Sequence, residues 1–69
     1  MTKIDARGLS CPQPVLLTKK GLKNHPEGVE VMVDNMTACN NVQKFIKNSG
    51  YNVNLKELGD GEFLITASK

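Results

Sequence analysis

Tryptophan is absent, and aromatic residues make up only 4% of the 69 positions, one tyrosine and two phenylalanines. So few rings give bases no platform to stack on, and a net charge of +2 is too small to hold a phosphate backbone by itself. Direct nucleic-acid binding is therefore not expected. Histidine occurs once and cysteine twice, at no ligand spacing, so a metal site is not expected either. Two cysteines could close one bridge at most, which is not a disulfide scaffold. No apolar run is long enough to span a bilayer, and no charged-then-apolar leader opens the chain. No cofactor motif is present. These absences point to a cytoplasmic protein, without membrane attachment, in which a free thiol persists. Residues 1–69 suffice for a single domain. A domain this small buries only about 60% of the surface its unfolded chain exposes, so a monomer or a weak dimer helped by partners is expected.

Apolar periodicity orders what is there. Lys3-Ile4-Asp5-Ala6 reads as a short strand with Ile4 and Ala6 on one face. From Pro12 to Asn24 the pattern turns helical, with Val15, Thr18 and Leu22 on a stripe flanked by Pro14, Lys19 and Gly21. Gly21 costs helix propensity, which points to a close approach to the sheet. His25-Pro26-Glu27-Gly28 stops the helix. Val29, Val31 and Val33 alternate with Glu30 and Met32 as a half-buried strand. Asp34, Asn35 and Thr37 are cap candidates for a second helix running to about Ser49, with Ala38, Val42, Phe45 and Ile46 inward and Gly50 past its end. Tyr51, Val53 and Leu55, then Phe63, Ile65 and Ala67, alternate as two strands joined by the Gly59-Asp60-Gly61 turn. The order predicts an α+β two-layer sandwich, βαβαββ, with both helices on one face. Both helix N-termini then open onto the same sheet edge, where ligands and chemistry collect in open α/β sheets.

That edge carries the most informative stretch, Asp5-Ala6-Arg7-Gly8-Leu9-Ser10-Cys11-Pro12-Gln13-Pro14. Proline fixes φ and lacks an N–H, so it suits the first turn of a helix, and the residue before it is pushed out of the α region. Cys11 is therefore expected as the non-helical cap, with Pro12 and Pro14 as first and third helical residues. Of the first amides only that of Gln13 survives, expected to point back at the thiol. Helix N-termini are where cysteine pKa values fall, so Cys11 reads as a nucleophile on a rigid ledge.

The same stretch, Asp5-Ala6-x-Gly8-Leu9-x-Cys11-Pro12-x-Pro14, resembles the signature of the TusA/SirA/YedF family of small sulfur-carrier proteins. The likeness runs the length of the chain. It implies a mixed four-stranded sheet whose last strand is antiparallel to the others, and it implies that Cys11 carries sulfur as a persulfide. Asp5, Gly8, Leu9, Pro12, Gln13 and Pro14 would be the supporting motif. The implied partners are a cysteine desulfurase or other donor protein and a downstream acceptor protein, in a relay of the kind that leads to tRNA thiolation. Gln13 stands where TusA-type motifs often carry glutamate. Val33-Asp34-Asn35, Asn41-Val42 with Phe45, and Ser49-Gly50-Tyr51 look more like YedF-type domains associated with selenium metabolism. The alternatives to a sulfurtransferase are thus selenium handling by the same cysteine, or a non-catalytic regulatory interaction module.

Other candidates read more plainly. Cys39 falls on the second helix's apolar stripe and is read as packing. It is expected near Cys11 but unbonded, so that both thiols are free. Asp5 is read as an anchor of the Arg7-Gly8-Leu9 turn rather than a base, because a carboxylate beside a thiolate would raise the thiol pKa. His25 is a loop residue at the opposite edge. Lys19, Lys20 and Lys23, with Lys44 and Lys47, give a basic surface that either is simply solvated or docks an acidic partner. Met32 and Leu64 make a small patch on the sheet's other face.

Overall fold

The computed structural model describes residues 2–10 and 12–69. The element order is β1 (Thr2–Asp5), α1 (Gln13–Asn24), β2 (Gly28–Val33), α2 (Met36–Asn48), β3 (Asn52–Gly59) and β4 (Glu62–Ser68). The strands form one sheet in the order β1-β2-β4-β3. β1 is parallel to β2, whereas β4 is antiparallel to both β2 and β3. The expected sandwich and its mixed sheet are therefore present, with β4 running against the other three strands.

Alternation decides which face is covered. Val29, Val31 and Val33 of β2 stand in register with Ala67, Ile65 and Phe63 of β4, and all six are buried. Over this row pack Leu22 of α1 and Ala38, Cys39, Val42 and Ile46 of α2, so both helices share the valine face. The intervening residues, Glu30, Met32, Leu64 and Thr66, face the other way with partial exposure. Met32 and Leu64 pair directly there, as the sequence suggests.

α1 buries Pro14, Thr18 and Leu22. Thr18 belongs on that stripe because its hydroxyl donates to the Pro14 carbonyl at 2.8 Å, which leaves no unpaired donor in the core. Gly21 marks a close approach, as expected: a Cβ there would run into Cδ1 of Ile4 and touch Cγ1 of Val29. α2 starts at Asn35, whose Oδ1 accepts the Ala38 N–H at 2.7 Å. It ends at Gly50, whose φ of 85° is the left-handed conformation that terminates helices. In the β3–β4 hairpin Gly59 pairs with Glu62, and the two loop residues Asp60 and Gly61 both have positive φ, 53° and 77°, as a type I′ turn requires.

One expectation about the core fails. Leu55 shares the inward row with Ile65, yet it is 45% exposed. β3 is an edge strand, and its middle lies beyond the shelter of α2. Among the described residues, no helix is long and apolar enough to cross a membrane.

Candidate functional site

The loop between β1 and α1 is held from several directions. Ala6 continues the parallel pairing past β1 by donating its N–H to the Met32 carbonyl at 2.8 Å. Arg7 then folds back on Asp5. Its backbone N–H and Nε reach Asp5 Oδ1 at 3.1 and 3.0 Å, and Nη2 reaches Oδ2 at 2.9 Å. This fork lowers the Asp5 pKa to about 2, chiefly through the guanidinium hydrogen bonds, and raises that of Arg7. Nη1 of Arg7 extends toward Glu62 Oε2 at 3.4 Å, which links the loop to the start of β4. Asp5 thus anchors the turn, as its sequence position suggests, but the turn amide it takes is that of Arg7.

The next amide has a partner that sequence reasoning missed. Gly8, at φ 74°, donates its N–H to Asp34 Oδ2 at 2.8 Å. Asp34 is not a helix cap. It sits between the β1–α1 loop and Asn35, whose Nδ2 approaches Asp34 Oδ1 at 3.3 Å. Gly8, Asp34, Asn35 and Ala38 therefore form one hydrogen-bonded chain from the first loop into α2. The two are 26 residues apart in sequence, and only the parallel β1–β2 pairing makes them neighbours. An acidic residue directly after β2, at the same edge as a glycine turn after β1, was the available signal.

The entrance to α1 also differs from expectation. Helical residues begin at Gln13, so Pro12 is the cap and Pro14 the second helical residue. Gln13 donates its N–H to the Ser10 carbonyl at 2.9 Å, at the start of the helix. Pro12 has φ −99° and ψ 16°, outside helical values, although its carbonyl already accepts from Leu16 at 3.1 Å. The amide expected to face the thiol is thus engaged by the main chain, and the prolines contribute none. Cys11 itself lies outside the described residues, as do its expected cap geometry and its distance from Cys39. Its flanking segments are fixed. Leu9, Ser10, Pro12 and Gln13 are exposed, while Pro14 is buried as the foot of the turn.

Cys39 is a free, fully buried cysteine whose sulfur accepts from Gln43 Nε2 at 3.0 Å, one helical turn on. It is a packing residue. His25 caps the far end of α1 through its N–H to the Gly21 carbonyl, with Nδ1 3.7 Å from Glu27. Lys19, Lys20 and Lys23 are exposed along α1, away from the loop's hydrogen bonds.

This arrangement has known relatives. The family model described as sulfurtransferase TusA matches residues 2–69. A protein of Methanocaldococcus jannaschii named as a candidate sulfur carrier is 42% identical over 71 residues, spanning 100% of this chain and 95% of its own length. A similarly named Bacillus subtilis protein is 32% identical over 63 residues, covering 88% of this chain and 83% of its own. The crystal structure of a SirA-like protein from Desulfitobacterium hafniense superimposes with a TM-score of 0.90 at 37% identity, over 99% of this chain and 96% of that one. Fold and sequence agree: this chain belongs to the TusA family of sulfurtransferases, and sulfur carriage is the function it shares with them.

Proposed function

We propose that the chain carries sulfane sulfur on Cys11 as a persulfide, taking it from one protein and passing it to another. The observation that carries this reading is the bracing of the loop on either side of position 11. Its backbone is tied to β2 through Ala6, to Asp34 through Gly8, and to α1 through Ser10 and Gln13. A carrier needs a nucleophile held outward on a fixed loop rather than a deep pocket, because its substrate arrives on another protein's loop.

The transfer is a displacement with no net redox change. The Cys11 thiolate attacks the outer sulfur of a persulfide on the donor. A new S–S bond forms on Cys11, the donor's S–S bond breaks, and the donor cysteine leaves as a thiolate. The acceptor's thiolate repeats the exchange on the Cys11 persulfide. A cysteine desulfurase is the donor that fits this chemistry, and a relay protein on the way to tRNA thiolation is a fitting acceptor. Such exchange suits a reducing cytoplasm. Asp5, Gly8, Leu9, Pro12, Gln13 and Pro14 shape the loop, and exposed Lys19, Lys20 and Lys23, farther along α1, offer an acidic donor a place to dock.

Incubation with a cysteine desulfurase and free cysteine, followed by intact mass measurement, tests the reading. One added sulfur that maps to Cys11 and is absent from Cys11→Ser is the expected result. Sulfur on Cys39 instead, or none on either, overturns it.

A further inference from the structure

A second concave surface lies away from the Cys11 loop. A groove of about 580 Å³ runs between the second half of α2 and the first half of β3, lined chiefly by Gln43, Lys44, Lys47, Tyr51, Val53 and Leu55. At 1.5 Å per residue, its lysines sit roughly 14–18 Å along α2 from the Asn35 cap that ties into the first loop. Nothing in the sulfur transfer uses it.

Its chemistry is one-sided. The lining holds two lysines and no carboxylate. Lys69 adds a third cation at the rim, with Nζ 5.3 Å from the centre of the Tyr51 ring. That ring is a fixed wall, because its hydroxyl donates to the Pro26 carbonyl at 2.8 Å. The floor is apolar and open: Leu55 is 45% exposed although it faces the helix side of the sheet. Beside the floor runs β3, which pairs only with β4 among the described residues. Its outer edge carries backbone donors and acceptors that no other described strand takes up.

We propose that this groove and the outer edge of β3 dock an extended acidic segment of a partner protein. The segment would add a strand beside β3 whose helix-side face sets carboxylates on Lys44 and Lys47 and, between them, lays an apolar side chain over Val53 and Leu55. Each part of the surface then has a counterpart. A second copy of this chain pairing edge to edge would bring Lys44 and Lys47 toward their own equivalents. A nucleic acid would use the lysines but leave the strand edge and the apolar floor unused. The proposal does not depend on a persulfide at Cys11.

Backbone amide NMR of the full chain provides the test. The probe is a synthetic octapeptide, Asp-Thr-Val-Thr-Asp-Thr-Val-Thr, which sets aspartate and valine on one strand face, beside its counterpart with asparagine for aspartate and an oligouridylate. Aspartate–valine is expected to shift Lys44, Lys47, Val53 and Leu55, and to bind at least about tenfold tighter than the neutral peptide at low salt. Lys44→Glu with Lys47→Glu, both exposed and outside the core, should remove that preference without changing sulfur loading of Cys11. Absent shifts, shifts confined to the Cys11 loop, equal binding of both peptides, or tighter binding of the oligouridylate would each overturn the proposal. So would shifts of the same residues on simple dilution, which would assign the surface to a dimer. Loss of sulfur loading with intact peptide binding would instead count only against the carrier reading.

Discussion

At the scale of single residues, the Arg7–Asp5 fork makes an acid-sensitive contact beside the functional loop. Asp5 has its pKa lowered to about 2 from an ordinary 3.8, so its ionised form is favoured by folding. The contact is complete above the ordinary value and is lost as pH falls through about 2. Both side chains are substantially exposed, so the change is local rather than a global unfolding trigger. An NMR titration should show the Arg7 amide moving with a midpoint near 2; a midpoint near 3.8 would mean the fork does not form in solution. Gly21 supports a different measurement. Alanine there would gain up to about 1 kcal/mol of helix propensity, but it would force Ile4 to a new rotamer at about 0.5–1.5 kcal/mol. The two effects nearly cancel in the native background. In an Ile4→Val background the colliding methyl is gone and only the gain remains, so a double-mutant cycle should return a coupling of about 1 kcal/mol. Simple additivity would show that Gly21 is not there for the close approach.

At the scale of elements, α2 depends on its cap and the first loop depends on α2. Asn35→Ala removes the side-chain acceptor for Ala38 and should lower stability by about 1 kcal/mol in denaturant melts. Asp34→Ala should barely move those melts but should slow sulfur loading of Cys11, because it frees the Gly8 amide. Asp34→Asn keeps an acceptor oxygen and should restore most of the rate; equal loss in both variants would argue for a charge effect instead of positioning. Much of this arrangement was legible in the chain. The valine alternation of β2, Gly50 after α2 and the Gly59-Asp60-Gly61 turn are local signals, and each stands where it was read. The misreadings come from contacts that local pattern does not carry. Pro12 looked like a first helical residue, but the Gln13 N–H turns back to Ser10 and delays the helix. Leu55 alternates like a core residue, but whether a row is covered depends on how far the neighbouring helix reaches. Asp34 looked like a cap because its partner lies 26 residues earlier. Cys11 was read from its neighbours as the reactive position, and its own geometry falls outside the described residues.

At the scale of the whole molecule, Cys39 is a built-in reporter of unfolding. It is fully buried, so an alkylating reagent should reach it only when the helix layer lifts from the sheet. Its modification rate should rise with denaturant in parallel with the unfolding equilibrium, while Cys11 should already react in native buffer. Rapid labelling of both thiols in native buffer would contradict the packing found for α2. The strand order also has a temporal consequence. β4, the last strand in sequence, lies between β2 and β3, so one edge of the central valine strand has no neighbour until β4 arrives. A folding chain holds that edge bare until the β3–β4 hairpin is in place. It is then closed in one step, by a hairpin whose two-residue turn lets β3 and β4 form locally and dock together. Until that docking event, the exposed edge of β2 is the part of the folding chain most open to pairing with a stranger.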